Sequence, residues 1–281
     1  MLFPHHRVVV RGAGDLATGV IYRLHLAGFP VIATEVSQPL AVRRTVAFAE
    51  AVYEGYWTVE GVTAVRVEDP AEAVARAHAG EVVVLPRPED EILPELEPVV
   101  LVDARLLKRD DVGSRELAPL VIGLGPGFEA GHNCHAAVET NRGHRLGRVL
   151  WQGTTEPNTG IPGSILGFRA ERVIRAPVAG IFRPRVEIGD LVEQGHVVAE
   201  VEQDEDRAPI VAPIAGVVRG LLHPGLAVQP GLKVGDVDPR GDAAAIFTIS
   251  EKSLAIGGAV LSAILTWLNR GGESIDPQAA G

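Results

Sequence analysis

The chain has 281 residues, of which 46% are hydrophobic and 22% are charged, a composition typical of a globular protein with room for two cores. Acidic side chains outnumber basic ones by 36 to 26, and the formal net charge of −10 disfavours binding to nucleic acid or to an anionic membrane. A single cysteine, Cys134, excludes an internal disulfide and a four-cysteine zinc site. Together with the lack of an apolar leader, it predicts a cytoplasmic protein.

Short apolar runs alternate with helix-like stretches over the first 125 residues, as expected for a mainly parallel sheet with right-handed crossovers. The predicted strands are Arg7–Arg11, Val31–Glu35, Thr63–Val67, Glu81–Leu85, Val99–Asp103 and Pro119–Leu124. The predicted helices are Asp15–Ala27, Leu40–Tyr53 and Pro70–His78, the last with Asp69 as its N-cap. The sequence therefore predicts a Rossmann-like, cofactor-binding domain over residues 1–125.

A glycine-rich turn follows the first predicted strand and fits the pattern G-x-G-x-x-A at the start of a helix. Gly12 permits the tight turn, Gly14 lets a ligand approach the backbone, and the amide groups around Ala13 favour an anion. Glu35 ends the next strand, where a carboxylate can hold ribose hydroxyls. The negative charge of Asp15 opposes a pyrophosphate, so a Rossmann-like unit that binds another anion, or nothing, remains an alternative.

Two further groups of residues extend the predicted ligand site. Arg43 and Arg44 suit a phosphate or a pterin phosphate, with solvated surface charge as the alternative. Gly125 and Gly127 follow a strand at the carboxyl edge of the predicted sheet, where ligands of open α/β sheets bind. Pro126 between them removes one amide donor, so a plain tight turn is the alternative reading.

The region 126–170 is rich in Gly, His and Asn and is predicted to consist of connecting loops around a few strands such as His144–Gln152. His132, Cys134 and His135 are residue types that bind metals, which makes them a candidate metal or sulfur site. Their spacing matches no standard zinc signature. Loop histidines beside a small buried cysteine are the alternative.

An internal repeat marks the region 171–250, where the sequence of residues 176–180 recurs 36 residues later, at 212–216. Each copy indicates one supersecondary unit, and two copies facing each other bury a common interior. The pattern resembles biotinyl- and lipoyl-type half-barrels, whose hairpin carries a lysine. The corresponding junction, residues 202–207, has none, so we expect a barrel-sandwich-like module that carries no prosthetic group. A buried C-terminal helix and a tail follow over 251–281.

The whole chain resembles the YqeB-type accessory proteins of selenium-dependent molybdenum hydroxylase systems, and its N-terminal third also resembles the Rossmann half of XdhC-type proteins. The residues that carry the first resemblance are Arg11–Gly19, Gln38–Val46, Gly123–Phe128, Glu139–His144, Pro157–Gly163 and Ala255–Gly258. The resemblance implies an accessory or maturation protein with a molybdenum hydroxylase as its client. It implies molybdopterin as a ligand, because that cofactor carries a phosphate and a polar pterin.

The sequence thus favours a maturation factor that binds molybdopterin or a nucleotide at the Gly12–Gly14 turn. Two alternatives stay open. The first is an NAD(P)-dependent oxidoreductase, which rests on the same turn together with Glu35, although no acid or base for hydride transfer stands out. The second is a scaffold protein without chemistry whose β-repeat is the interaction surface. Whether the chain is an enzyme, and whether it forms an oligomer, is left open.

Overall fold

The computed structural model describes residues 1–87, 89–107, 113–158, 166–168, 170–204 and 206–272. The chain forms two compact units that do not follow its order. The first comprises Met1–Pro39, Phe48–Thr159 and Ile249–Gly281, and the second comprises Leu40–Ala47 and Gly160–Thr248. The predicted division into four consecutive segments differs from these bounds, because the chain leaves the first unit twice.

The architecture is mixed α/β in the first unit and β in the second. The elements of the first unit before residue 160 are β1 (Val8–Arg11), α1 (Asp15–Leu26), β2 (Val31–Thr34), α2 (Ala51–Glu54), β3 (Tyr56–Val59), β4 (Val62–Arg66), α3 (Pro70–His78), β5 (Val82–Leu85), α4 (Glu89–Leu96), β6 (Val100–Asp103), β7 (Leu120–Leu124), β8 (Glu129–Ala130), β9 (Ala136–Val138), β10 (Val149–Leu150) and β11 (Gly153–Thr154). The later elements are β12 (Val173–Arg175), β13 (Gly180–Pro184), β14 (Leu191–Val192), β15 (Val197–Gln203), β16 (Asp206–Val211), β17 (Gly216–Leu221), β18 (Ala227–Val228), β19 (Lys233–Asp238) and, in the first unit again, α5 (Glu251–Asn269).

Within the described residues, the first unit contains a nine-stranded sheet of order β10-β9-β7-β6-β1-β2-β5-β4-β3. The seven strands from β9 to β4 are parallel, and β10 and β3 add antiparallel edges. The six strands predicted from the sequence are all present, each within one residue of its expected bounds. Strand β1 lies between β2 and β6, so the connections diverge there, and ligands of open α/β sheets bind at the carboxyl ends of strands at such a point.

One face of this sheet carries the main apolar cluster of the first unit. Val9, Ile32 and Leu101 of the central strands pack in this cluster with Ala73 of α3 and Ile92 of α4. Helix α3 begins as predicted, since the Asp69 carboxylate accepts a hydrogen bond from an amide of the first turn. This face of the sheet therefore packs against helices, and loops follow the strands at its carboxyl edge.

Helix α5 packs against α1 and against strands β7, β9 and β10. A Cβ atom added to Gly19 would lie 2.4 Å from the carbonyl oxygen of Ser253, and one added to Gly257 would lie 2.2 Å from the carbonyl oxygen of Gly19. Only glycine permits this close approach of the two helix backbones. The buried C-terminal helix predicted over 251–268 is thus confirmed.

In the described part of the chain, one helical stretch is long and apolar enough to cross a membrane by length and composition alone. It is Ala244–Asn269, with a mean hydropathy of 1.4, and 39% of its most apolar window is buried. Core helices of proteins in water pass the same test, and α5 buries Ile256, Val260 and Ile264.

Two four-stranded sheets, of order β12-β19-β17-β14 and β16-β15-β13-β18, build the described part of the second unit. The 36-residue offset relates β13 to β17, β14 to β18 and β15 to β19. We call β12–β15 the first copy and β16–β19 the second copy. Each sheet contains two strands of each copy, so neither copy can complete a sheet alone. The predicted repeat is confirmed as this interleaved β-module.

The helix predicted over Leu40–Tyr53 is wrong for most of its length. Arg44–Val46 and Phe48–Glu50 form short 3-10 turns, and only Ala51–Glu54 is α-helical. Arg43 instead forms an isolated parallel bridge with Leu221 of β17. The backbone pairs with a distant strand there, and this tertiary contact outweighs the local helix propensity of the segment.

Two smaller differences concern strands and a helix. The strand predicted over His144–Gln152 is confined to β10, because turns occupy the rest of that segment. Strand β3 and helix α4 were not predicted. Pro94 lies inside α4, where a proline normally argues against a helix. The tail is predicted over Gly271–Gly281, of which residues 273–281 lie outside the described residues.

Candidate functional site

The candidate site lies at the carboxyl edge of the nine-stranded sheet, where β1 turns into α1. Gly12 has a φ of +93°, a conformation that favours glycine. Its amide donates to the Thr34 carbonyl at the end of β2, at 2.8 Å. On the other side of the turn, the Ala104 carbonyl oxygen is 3.4 Å from the position of a Cβ on Gly12. The turn is therefore held between the end of β2 and the loop that follows β6.

The N-terminus of α1 is open at Gly14. Gly14 is the N-cap residue, and no side chain caps the helix. Amides of the first turn, such as those of Leu16 and Ala17, have no acceptor within an α-helix. A Cβ atom added to Gly14 would meet no atom within 4 Å. Uncapped amides and free space thus coincide at this end of α1, which is what an anionic group requires.

One amide of the turn is already occupied by the protein itself. The Ala13 amide donates to Glu35 Oε2 at 2.8 Å, and the Val36 amide donates to Oε1 of the same carboxylate, also at 2.8 Å. The Ala13 carbonyl accepts a hydrogen bond from the Ala49 amide. Glu35 therefore lies where the sequence placed it, beside the glycine turn, and it holds the turn in shape.

The surroundings of the turn carry negative charge. The pKa of Tyr53 is raised above its usual value by burial and by the charges of Glu50 and Glu35. Glu50 is 1% exposed. Asp15, in the first turn of α1, accepts a hydrogen bond from the Ser253 hydroxyl at 3.0 Å. These carboxylates therefore partly neutralise the positive N-terminal end of the α1 dipole, and an anionic ligand at this end competes with them.

A buried ionic network lies next to the turn and was not predicted from the sequence. Arg11, the last residue of β1, pairs with Asp103, the last residue of β6, at 3.2 Å between Nη1 and Oδ2. Asp103 also accepts hydrogen bonds from the backbone amide, Nε and Nη2 of Arg105, at 2.5 to 3.2 Å. The sequence signal that could have identified Asp103 is a carboxylate at the end of a predicted buried strand. Glu35 likewise ends its own predicted strand.

The second glycine loop follows β7 at the same edge. Gly125 and Gly127 have φ values of +78° and +97°, and the Gly125 amide donates to the Val138 carbonyl at 2.9 Å. A Cβ on Gly125 would lie 2.5 Å from Thr140 Oγ1. Its amide is therefore used inside the sheet, while the buried carboxylate of Glu139 accepts the amides of Asn141 and Glu156 and orders the adjoining loop. The loop that contains Gly125 and Gly127 lies at the carboxyl edge of the sheet, and its part in ligand binding stays a prediction.

Arg43 and Arg44 belong to the second unit. The Arg43 side chain is 7% exposed, and its Nη2 donates to the carbonyls of Ile246 and Thr248 at 3.5 and 3.2 Å. Arg43 therefore supports the fold of its own unit rather than forming a solvated pair with Arg44. Binding of a phosphate by these two residues stays a prediction.

The predicted metal residues occupy dissimilar environments. Cys134 is buried in the apolar cluster under the sheet, and burial raises the pKa of its thiol to about 12. The Val121 amide donates to His135 Nδ1 at 2.9 Å, and burial followed by the charge of Arg115 lowers the pKa of His135. Within the described residues, these two and the exposed His132 do not bring three ligand atoms within 4.8 Å of one another. The buried Cys134 and the half-buried His135 thus serve the local structure.

A family model described as "Biotin-requiring enzyme" matches residues 172–236. These residues cover most of the interleaved β-module, so the second unit is a biotin/lipoyl-type domain. Its β15–β16 hairpin turns at Asp204, with a φ of +46°, and the sequence from Glu202 to Arg207 contains no lysine.

The crystal structures found by comparison share little with this chain. An aspartoacylase family protein from Mesorhizobium loti is 14% identical, with 83% of this chain and 84% of that chain covered and a TM-score of 0.29. A succinylglutamate desuccinylase/aspartoacylase from Rhodobacter sphaeroides is 17% identical with the same coverage and a TM-score of 0.27. TM-scores of this size do not establish a common fold.

One relative is much more similar to this chain in sequence than these crystal structures are. "Uncharacterized protein YqeB" of Escherichia coli strain K12 is 50% identical over 268 residues, which is 95% of this chain. The match covers 49% of that protein, so the chain spans about half the length of its relative. Over nearly its whole length, the chain is therefore similar to one half of YqeB.

Proposed function

We propose that the first unit is a Rossmann-like domain that binds a phosphate-bearing cofactor at the Gly12–Gly14 turn. The protein would serve in the cytoplasm as an accessory or maturation factor of a molybdenum hydroxylase. The bound cofactor would be molybdopterin or a nucleotide. The observation that carries the proposal is the open N-terminus of α1, which follows β1 where the strand connections diverge.

The residues at the turn fit such a cofactor in two respects. The uncapped amides of the first turn of α1 can donate hydrogen bonds to one phosphate, and the space beside Gly14 lets the phosphate approach the backbone. A dianionic pyrophosphate fits less well, because Asp15, Glu35 and Glu50 surround the turn. A ligand with one phosphate and a polar ring is therefore favoured over a dinucleotide.

The client enzyme is proposed from family resemblance. The chain resembles accessory proteins of molybdenum hydroxylase systems and is 50% identical to YqeB. The biotin/lipoyl-type unit would serve as the surface that meets the client, since its hairpin sequence has no lysine to carry a prosthetic group. The loop of Gly125 and Gly127 would add contacts to the cofactor or the client.

A dinucleotide-dependent oxidoreductase is the second candidate, and the position of Glu35 directly after β2 and beside the glycine turn favours it. A carboxylate at the end of the second strand is the usual ligand of ribose hydroxyls in NAD-binding units. A scaffold protein without a ligand is the third candidate. The three differ in what they bind, so one set of titrations separates them.

The proposal is tested by substituting Gly14 and measuring ligand binding by calorimetry. Gly14 has a φ of −69° and free space around its Cβ position, so Gly14→Val is compatible with the fold and fills the approach to the amides. We expect affinity for a pterin phosphate or a nucleoside phosphate to fall at least tenfold, and the melting temperature to change little. Mass spectrometry of gently purified protein should show a pterin or a nucleotide.

The matched control is Gly258→Val. Gly258 lies in α5 with no atom within 4 Å of its Cβ position, so this variant has the same added volume away from the turn and should bind as the parent does. Binding of NAD(P) alone would favour the oxidoreductase. A parent protein that binds no pterin, nucleotide or dinucleotide would refute the proposal and favour the scaffold.

A further inference from the structure

The regular pairing of β7 with β9 does not supply an acceptor for the Val121 amide. The Gly125 amide donates to the Val138 carbonyl at 2.9 Å, and in a parallel pair the same kind of bond recurs at every second residue. The acceptor for the Val121 amide would then be the Cys134 carbonyl. That carbonyl accepts the Gly131 amide at 2.9 Å instead. Because Val121 is 2% exposed, its amide needs another acceptor from the protein.

The imidazole of His135 supplies this acceptor. The Val121 amide donates to Nδ1 of His135 at 2.9 Å, and the His135 amide donates to the Val121 carbonyl, also at 2.9 Å. A backbone amide can only donate, so Nδ1 carries no proton and the ring is the neutral tautomer with its proton on Nε2. The same contact occupies Nδ1, so this nitrogen serves the pairing of two strands and not a metal.

The bond to Nδ1 exists only while the imidazole is neutral. A proton on Nδ1 would place two donors against each other, and the buried Val121 amide would lose its acceptor. Burial, followed by the charge of Arg115, holds the pKa of His135 below its usual value. The closed structure therefore binds fewer protons than an open one, so a fall in pH through the open-state value near 6.5 favours opening.

The charged groups around β9 do not offset this effect. Among the elements that pack against β9 or β7, the titratable side chains are Glu129 of β8, Arg115 and Glu116 of the 3-10 turn before β7, Asp103 of β6, and Glu251 and Lys252 of α5, and the connecting turn adds the exposed His132. Arg115 is the one whose charge acts on His135. Its Nη1 donates to the Gly131 carbonyl at 3.0 Å, so a cation that opposes the imidazolium is tied to the same turn.

Residues 125–135 connect β7 to β9, and we call them the crossover segment. Asn133 holds this segment together, since its Nδ2 donates to the Gly127 carbonyl and its Oδ1 accepts the Glu129 amide, both at 2.8 Å. Cys134 lies in the apolar cluster under the sheet and is 0% exposed. Release of the segment at His135 would therefore uncover a thiol that the closed structure hides.

We propose that His135 is an acid-sensitive latch: the neutral imidazole holds the start of β9 against β7, and uptake of a proton from solvent at Nδ1 releases the crossover segment and exposes Cys134. Because Gly127 belongs to the same segment, opening also changes the second glycine loop at the carboxyl edge of the sheet. The latch needs no ligand at the Gly12–Gly14 turn, so it does not depend on the proposed function.

The test uses Cys134, the single cysteine of the chain, as a reporter of opening. The full chain is treated with 4,4′-dithiodipyridine at pH 5 and at pH 7.5, and each rate is divided by the rate for the same thiol in urea-unfolded protein at the same pH. This ratio removes the pH dependence of the reagent and the thiol and follows the open fraction. In the parent it should be about tenfold higher at pH 5, since the imidazole of the open segment gains its proton over this range.

The diagnostic variant is His135→Asn. Its side-chain oxygen can accept the Val121 amide in place of Nδ1 and does not titrate, so the ratio should be low and equal at both pH values. His132→Asn is the matched control, because His132 is exposed and its replacement should keep the rise seen in the parent. The absence of a rise in the parent, or an equal rise in His135→Asn, would overturn the latch.

Hydrogen exchange of the parent gives a second measurement that needs no variant. After correction for intrinsic exchange rates, protection of the Val121 amide should fall between pH 7.5 and pH 5 by about tenfold relative to that of Val9, which lies in the central strand β1 of the same sheet. An unchanged ratio of the two protection factors would contradict the latch even if His135→Asn did not fold.

Discussion

The two copies of the repeat build the same strands but bury their acidic residues to different extents. Glu200 and Glu202 of β15 correspond, 36 residues later, to Asp236 and Asp238 of β19. The first two side chains are 22% and 29% exposed, and the second two are 2% and 5% exposed. Identical topology therefore does not imply equal energetics, because the cost of removing a carboxylate from water depends on what covers it.

The arginine partners show the same asymmetry. Arg183 pairs with Glu202 in the first copy and is half exposed, whereas its counterpart Arg219 pairs with Asp236 and Asp238 and is 13% exposed. Arg172 adds a buried bidentate contact to Asp236, with oxygens at 2.5 and 2.7 Å. The first copy thus carries a surface ion-pair network and the second a buried one, and each kind responds differently to mutation, pH and salt.

The largest effect that separates the copies is expected at Arg172. Arg172→Ala leaves the Asp236 carboxylate buried without its bidentate partner, which should lower the free energy of unfolding by about 3 kcal/mol or more. The comparison variant is Arg185→Ala, which removes an exposed partner of Glu200 in the first copy and should lower the stability far less. Urea denaturation measures both.

Arg172→Met combined with Asp236→Leu sharpens this comparison. Replacing both ions by apolar side chains removes the buried carboxylate, while Arg219 keeps its contact with Asp238, so the double variant should be more stable than Arg172→Ala. Equal losses for Arg172→Ala and Arg185→Ala would show that burial does not distinguish the copies.

A smaller effect should be equal in the two copies. Gly180 and Gly216 occupy equivalent positions with φ values of +150° and +155°. A Cβ on either would lie 2.4 Å from a backbone carbonyl, that of Glu202 or Asp238. Replacement by alanine should cost about 2 kcal/mol at each site. Thermal denaturation of Gly180→Ala and Gly216→Ala should give similar losses, and a clear difference would mean that the copies differ in backbone strain as well as in burial.

The smallest effect concerns acid stability. Burial raises the pKa of Asp238, but hydrogen bonds and charge from Arg240 and the charge of Arg219 outweigh it, so the pKa lies below its usual value. The hydrogen bond from Arg183 and its charge likewise lower the pKa of Glu202. A carboxylate with a lowered pKa stabilises the fold above its unfolded value near pH 4, and this stabilisation is lost as the pH falls through the folded value.

Urea denaturation between pH 3 and pH 6 should therefore show a shallower acid loss in Asp238→Asn and in Glu202→Gln than in the parent. Salt at about 1 M should remove the contribution of the exposed Glu202 and leave most of that of Asp238. Equal salt sensitivity of the two contributions would contradict the difference in burial.

Local signals predicted much of the fold. Helix α3 has a proline in its first turn and an aspartate N-cap, and its observed bounds are those predicted, because the capping bond joins residues three apart. The strands of the sheet were recognisable as apolar runs. Leu40–Tyr53 has helical composition but lies partly in the second unit, where Arg43 bridges β17. No local signal contains that partner, which is why the prediction failed.

The candidate site likewise contains residues that the sequence predicted and residues whose environment only the structure shows. Gly12, Gly14 and Glu35 follow from a spacing pattern, and the structure brings Glu35 to the glycine turn. Cys134 looked chemically reactive beside two histidines, yet it lies in the apolar cluster with a raised pKa. Burial of a thiol is set by residues that surround it in space, so sequence spacing alone could not decide its reactivity.

The sequence by itself determined the alternation of strands and helices, the glycine turn before α1, the repeat and the apolar C-terminal helix, since each depends on residues a few positions apart or on a fixed offset. Tertiary structure alone decided that Arg11 meets Asp103 across 92 residues, that Thr34 is buried beside them, and that the second copy buries its carboxylates. These contacts depend on the order of strands in a sheet and on what covers each face, and both are set by the packing of the whole chain.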